Sequence, residues 1–370
     1  MKISIARDDL LAVLNQVLGV VERRNTIPIL SNVKIEAVDG QLKLTATDMD
    51  LEAVAHVDAE IEEDGATTIP AKRLSDIVRL LPAGAVVRME DGDGRVKVQS
   101  GRSRFTLPCR PVADFPLMAG GELPHMFRIA SGEMKGLVDR TRFAISTDET
   151  RYYLNGICLH ESKRNGVAVL RAVATDTHRL ASVEVSLPDG AAGMPGVIVP
   201  HKTVTELRKL TDESAADVEV ALSESMIRFA CGAAVLTSKL IDGTYPDYQR
   251  VIPVGNGRQL RVDRGDLVSA VSRVAAISGE KTRAINLAIG DGPMVLSARY
   301  AGGDALDEVD VEYDGGIMEI GFNAKYLLEV VSHIGGEIIL FELSNDLEPA
   351  IIRDAGSSAG FCVLMPMRVN

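Results

Sequence analysis

The feature that most restricts this chain is a long internal repeat. Three segments, "ARDDLLAVLNQVLGVV" from Ala6, "ASGEMKGLVDRTRFAIS" from Ala130 and "DRGDLVSAVSRVAAIS" from Asp263, place apolar residues at helical spacing behind an acidic or Ser/Gly start. A second trio follows in the same order: "IPAKRLSDIVRLLPAG" from Ile69, "VPHKTVTELRKLTDES" from Val199 and "FNAKYLLEVVSHIGGE" from Phe322. The first two of these carry a Pro just before the helix, where it costs little. Pro70 and Pro200 are 130 positions apart, as are Phe115 in "ADFP" and Tyr245 in "GTYPDY". A period of that length denotes repeated domains, because solenoid repeats are far shorter.

Between the helices lie alternating or β-rich stretches such as "NVKIEAV", "QLKLTAT", "VVRME", "RVKVQS", "RFTLP", "MIRFA", "VLTSKL" and "IILFEL", many joined by Asp-Gly or Gly-rich turns. Each repeat is therefore α+β, with two helices packed on antiparallel sheets. The helices at Ala6 and Ile69 start about 64 positions apart, which implies that a domain is itself two βαβββ-like halves. Gly and Pro cluster at Met118 to Met126 and at Pro253 to Gln259, giving expected domains 1–122, 123–256 and 257–370.

With 370 residues, 46% hydrophobic and 25% charged, the chain has ample core for two or three domains. "MKISIARDDLLAVLNQVLGVVERR" offers no apolar run for a signal peptide or membrane span, so a cytoplasmic protein is expected. Cys109, Cys158, Cys231 and Cys362 lie far apart without a CxxC pair, as expected of reduced, buried thiols. The formal charge is −12, yet the six helical segments together carry +6, leaving −18 on the remainder. Helices facing one side could then meet a polyanion through sequence-independent phosphate contacts. The simpler alternative is that Arg73, Arg79, Lys202, Arg208 and Lys209 merely solvate exposed helix faces.

Catalysis finds little support. Asp176 and His178 in "TDTHRL" form the most catalytic-looking cluster, but no nucleophile string such as GxSxG accompanies them. Asp48 and Asp50 in "TDMDLE" are a candidate metal pair without a second cluster. There is no Walker A loop, GxGxxG or HExxH, and no cofactor is implied.

Six local strings, in register over the repeats, carry a resemblance: "PIL" at Pro28, "SGRSRFTLP" at Ser100, "RYYLNG" at Arg151, "ATDTHRLA" at Ala174, "TSKLIDGTYPDYQRVIP" at Thr237 and "MPMR" at Met365. From "MKI" to "MPMR" the chain resembles the bacterial β sliding clamps, the processivity subunits of DNA polymerase III. The resemblance implies three clamp domains per chain and a head-to-tail homodimer forming a six-domain ring around double-stranded DNA, non-catalytic in itself. It implies DNA-facing roles for Arg24, Lys72, Arg73, Arg151, Tyr152, Tyr153, His201 and Lys202, and a dimer interface at Arg73, Phe105, Leu107, Ala276 and Ile277.

It further implies a partner-peptide pocket between the second and third domains, formed by Leu154, Thr175, Thr177, His178, Arg179, Leu180, Pro246, Arg250, Val251, Tyr326, Leu347, Pro349, Met365, Pro366, Met367 and Arg368. His178 and Arg179 are expected on its polar rim. The partners so implied are the polymerase III catalytic subunit, the clamp loader, repair and translesion polymerases, mismatch repair proteins and DNA ligase. Taken alone, Tyr152 and Tyr153 read as core aromatics, and Met365 and Met367 as strand-end core. The chain departs from the commonest family ending by carrying Val369 and Asn370 after Arg368.

Overall fold

The computed structural model describes residues 1–22, 26–118, 120–213, 216–277, 283–300 and 302–368. In it each α-helix opens from the end of a strand, directly in five cases and one residue later in α3. The first repeat runs β1 (Lys2–Ala6), α1 (Arg7–Leu18), β2 (Asn32–Val38), β3 (Gln41–Thr47), β4 (Leu51–Asp58), a short β5 (Glu60–Glu63), then β6 (Gly65–Pro70), α2 (Ala71–Leu80), β7 (Val86–Gly92), β8 (Arg95–Ser100) and β9 (Ser103–Pro108). The second runs β10 (His125–Ile129), α3 (Ser131–Asp139), β11 (Gly156–Arg164), β12 (Val167–Thr175), β13 (Arg179–Ser186), then β14 (Val197–Pro200), α4 (His201–Glu213), β15 (Val218–Leu222), β16 (Met226–Cys231) and β17 (Ala234–Lys239). The third runs β18 (Arg258–Asp263), α5 (Arg264–Ala275), β19 (Ala284–Ile289), β20 (Met294–Tyr300), β21 (Gly303–Val309), a short β22 (Val311–Tyr313), then β23 (Met318–Asn323), α6 (Ala324–Ser332), β24 (Ile338–Leu343), β25 (Ala350–Asp354) and β26 (Gly360–Leu364). Apart from β5 and β22, the order is βαβββ six times over.

The halves interlock by exchanging their first strands. β1 pairs with β7 and β6 with β2; likewise β10 joins β15, β14 joins β11, β18 joins β24 and β23 joins β19. Every one of these pairings is antiparallel. Each trio therefore keeps its own last strand at the far end.

The described residues form two compact units. One comprises Met1–Lys135, Pro188–Ala192 and Lys202–Leu240, and the other Gly136–Leu187, Gly193–His201 and Ile241–Asn370. The first holds a five-stranded sheet, β5-β1-β7-β8-β9, and an eight-stranded one, β10-β15-β16-β17-β4-β3-β2-β6, in which β17 meets β4 from Ala234↔Ala55 to Ser238↔Leu51. The second holds a nine-stranded sheet, β14-β11-β12-β13-β26-β25-β24-β18-β22, with β13 meeting β26 from Arg179↔Leu364 to Val183↔Gly360, and a four-stranded sheet, β21-β20-β19-β23. Of the six trio-ending strands, β9 and β21 alone remain at sheet edges among the described residues.

Helix packing repeats residue by residue. α1 buries Leu10, Val13, Leu14 and Val17, and α5 buries Leu267, Ala270, Val271 and Val274, the same i, i+3, i+4, i+7 stripe. Each large apolar side chain so buried contributes about 2 kcal/mol. Arg7, the first residue of α1, donates from Nε to the Val78 carbonyl at 3.0 Å and from Nη2 to the Arg79 carbonyl at 2.7 Å, capping the end of α2. Arg264 opens α5 and donates to the Ile334 carbonyl beyond α6 at 3.2 Å. Cys158, Cys231 and Cys362 are buried as expected, but Cys109 is half-exposed just past β9.

Candidate functional site

Thr175 ends β12 and Arg179 begins β13, and the residues between them close a tight turn in the second unit. The Thr175 hydroxyl donates to the Arg179 carbonyl at 2.7 Å and accepts the Thr177 N–H at 3.2 Å. Asp176 Oδ1 accepts the N–H groups of His178 and Arg179, each at 3.0 Å. Thr177 has a φ of 77°, which a β-branched residue adopts only where its surroundings fix it. In the first unit the β3–β4 turn repeats the device: the Thr47 hydroxyl donates to the Leu51 carbonyl at 3.0 Å, Asp48 Oδ1 accepts from the Asp50 and Leu51 N–H groups at 2.9 and 2.7 Å, and Met49 has a φ of 79°. The candidate catalytic and metal acids, Asp176 and Asp48, are thus engaged in holding turns.

Arg179 is buried, which corrects its expected place on a rim. Its guanidinium lies 4.5 Å from the Tyr326 ring centroid and 5.1 Å from that of Phe143. Nε donates to Asp176 Oδ2 at 3.0 Å, Nη2 donates to the Phe143 carbonyl at 2.6 Å, and Nη1 pairs with Glu329 of α6. Charge-assisted bonds in a site this enclosed are strong and directional. His178, exposed beside it, stacks on Tyr326 with ring centroids 5.7 Å apart. Burial and the nearby Asp176 carboxylate raise the Tyr326 phenol above its usual range.

The C-terminal segment leaves β26 along this surface. The Met365 N–H donates to the His178 carbonyl and the Met367 N–H to the Gly321 carbonyl, each at 2.9 Å, so the chain end is tied at two points. Met365 is 44% exposed, Val251 53% and Leu347 60%, so these side chains are available to a ligand and are not strand-end core. Leu347 sits in a turn closed on Asn345 Oδ1 just before β25, whose Ala350 pairs with Leu364. Val251 and Arg250 belong to a short 3-10 turn, Tyr248–Val251, whose Tyr248 packs with Cys158, Val173, Leu180 and Val363. The Tyr248 hydroxyl meets His160 Nε2 at 3.0 Å and Arg171 Nη1 at 3.4 Å. Burial lowers the His160 pKa and keeps the ring neutral, with Nδ1 donating to the Glu161 carbonyl and Nε2 accepting from Tyr248. Leu154 and Leu180 are buried beneath, while Pro246, Thr177 and Arg368 are exposed.

The expected DNA-facing residues fall into different environments. Lys72 and Arg73 are exposed on α2, and His201 is exposed at the start of α4. Tyr152 is 53% exposed and meets Tyr153 edge-on, so it is not a core aromatic. Arg151 lies 3.5 Å from Asp148 and donates to the Thr177 hydroxyl at 3.1 Å. Lys202 faces three acceptors: the Val20 carbonyl at 2.9 Å, Glu22 at 3.3 Å and Asp48. Arg24 lies outside the described residues, as do Val369 and Asn370.

Residues 1–119, 128–247 and 249–368 match, in turn, the N-terminal, central and C-terminal domains of the DNA polymerase III beta subunit. The chain belongs to this family. It is 47% identical over 372 residues to the beta sliding clamp of Caulobacter vibrioides and 38% identical over 373 residues to that of Escherichia coli K12, with both chains of each pair covered completely. A crystal structure of the Bartonella birtlesii sliding clamp bound to griselimycin superposes with a TM-score of 0.97 at 46% identity, again over the whole of both chains. The three clamp domains of this β subunit are therefore its three sequence repeats.

Several residues that shape the β-subunit site carried no sequence signal of their own. Phe143, Glu329 and His160 lie far along the chain from the partners they orient, and only folding brings them together. Gly243 is another: a Cβ there would sit 3.3 Å from Tyr153 Cβ and 3.5 Å from the Tyr152 ring, so its lack of a side chain lets the "IDGTYPDY" segment pass beneath both tyrosines. On the expected interface strand, Phe105 is half-buried and Leu107 is buried in its own unit, so Leu107 offers less surface than anticipated. Ile277 is 38% exposed and its Cδ1 lies 3.9 Å from where a Gly303 Cβ would be, beside the edge strand β21.

Proposed function

We propose that this β subunit closes into a head-to-tail dimeric ring around duplex DNA and tethers the replicative polymerase, without itself catalysing a step. The observation that carries the proposal is the pair of trio-ending strands left at sheet edges among the described residues. Trio-ending strands join successive repeats twice, β4 with β17 and β13 with β26, which leaves β9 and β21, among the described residues, bonded on one side only. Exposed edges invite pairing, and a head-to-tail contact of β9 with the β21 of a second copy generates a closed ring if its rotation closes. Phe105 on β9, Leu306, 65% exposed on β21, and Ile277 would supply apolar contact, with Arg73 and Ala276 nearby in the same interface.

The domains are taken to run 1–122, 123–256 and 257–370. Within the ring, Lys72, Arg73, Arg151, Tyr152, Tyr153, His201 and Arg24 would face DNA without reading bases, which permits sliding. The surface at His178, Tyr326, Leu347, Val251 and Met365 to Arg368 would take short motifs from the polymerase III catalytic subunit, the clamp loader, repair and translesion polymerases, mismatch repair proteins and DNA ligase in the cytoplasm. Methionine is unbranched and adaptable, which suits one pocket with many occupants. Among the described residues no helix is long and apolar enough to cross a membrane. The test is topological: loaded by a clamp loader onto nicked circular DNA, the protein stays bound until the circle is linearised, then slides off. Equal retention on circular and linear DNA would overturn the reading.

A further inference from the structure

Lys202 stands among the residues expected to face DNA, yet its surroundings give it a different task. An ammonium group has three donors. Those of Lys202 face the Val20 carbonyl just beyond α1 at 2.9 Å, Glu22 Oε1 at 3.3 Å and Asp48 Oδ2 on the β3–β4 turn, all within the first unit. To reach a phosphate it would have to abandon two carboxylates, one of them largely buried.

Glu22 also lines a groove of about 600 Å³ on the same unit, whose basic members are Lys72 and Arg79 of α2 and Lys209 of α4. Lys209 pairs with the buried Glu206 at 2.7 Å, and Lys202 answers Glu22. Among the described residues, what is left in the groove is Lys72, whose side chain makes no hydrogen bond or ion pair, Arg79, whose side chain donates only to the Ser75 hydroxyl at 3.5 Å, and the single carboxylate of Asp76. Lys202, which Glu22 shares with Asp48, holds that carboxylate on the side away from Lys72 and Arg79 and offsets part of its charge, so these two cations face Asp76 as the groove's unpaired groups among the described residues. We propose that Lys72 and Arg79 form a seat for a phosphodiester of the DNA backbone, and that Lys202 is a positioning residue which holds Glu22 toward Asp48, away from that seat, and touches no phosphate. This rests on the DNA reading above and adds Arg79 to it.

The slope of log affinity against log salt counts phosphate contacts, about 0.9 per contact. The probe is a fluorescein-labelled mixed-sequence duplex, titrated by anisotropy into the full chain across a salt series. Arg79→Gln and Lys72→Gln should each weaken association on the order of tenfold at about 0.05 M salt and flatten the slope by about 0.9. Lys202→Met should weaken association too, while Lys202→Met combined with Glu22→Gln should restore both affinity and slope, a rescue that simple loss of packing would not show. A combined variant whose slope stays one contact short would mean that Lys202 touches phosphate itself, and an unchanged slope in Arg79→Gln would remove the seat; either overturns the inference. Absence of any salt-dependent duplex binding by the wild-type chain would instead overturn the DNA reading.

Discussion

Arg179 shows how much a single side chain can organise. It ends one turn, bridges to α6 through Glu329, and is sandwiched between Phe143 and Tyr326, and the carbonyl just before it anchors Met365. Removing it would leave Asp176 and Glu329 without their cation in a shielded site, a loss on the order of 3 kcal/mol. Arg179→Ala should therefore lower the melting temperature and weaken binding of a peptide with Gln, Leu and Phe anchors, whereas His178→Ala, which removes one exposed ring, should do less of both. Thermal melts and fluorescence anisotropy measure the two effects. The resemblance to sliding clamps implied a rim position for both residues. The fold reverses this for Arg179 by supplying Glu329 and two aromatic faces from distant segments. The same limit applies to Asp48 and Asp176, whose carboxylates looked chemical in the sequence and prove to hold matching turns, 128 positions apart.

At the scale of elements, the βαβββ unit was largely legible. Helical and alternating periodicities are local, and "NVKIEAV", "QLKLTAT", "RVKVQS" and "IILFEL" coincide with β2, β3, β8 and β24. The exchange of first strands between halves was not legible, because pairing partners are chosen by tertiary packing over long separations. The C-terminal segment behaves as an element of its own. β26 ends at Leu364, and the residues after it add two backbone bonds and an apolar wall without contributing a strand to the sheet. Deletion of Met365 to Asn370 should thus leave folding, dimer and DNA retention intact while abolishing peptide binding, since a few apolar anchors supply most of a short peptide's affinity. Unchanged anisotropy with the truncated chain would place the peptide elsewhere.

At the scale of the whole molecule, the edges matter most. The proposed dimer depends on β9 and β21 finding each other, and charges at the apolar positions beside them should prevent that at little cost to either unit. Phe105→Asp together with Ile277→Asp should give folded monomers, seen by sedimentation velocity, that cannot be retained on circular DNA. An undisturbed dimer would show that the edges are not the contact. Such a pair acts on assembly because both side chains are only partly buried within their own units.

By itself, the sequence determined the number of repeats, the α+β class, the positions of the helices and the family, since these depend on local periodicity and on strings preserved in order. Tertiary structure alone decided which acids hold turns, which cation is buried, that Lys202 faces two carboxylates, and which trio-ending strands keep an open edge. The physical reason is distance along the chain. A carboxylate's role depends on the donors that folding brings within about 3 Å, and for Asp48 Oδ2 that donor is a lysine 154 residues away.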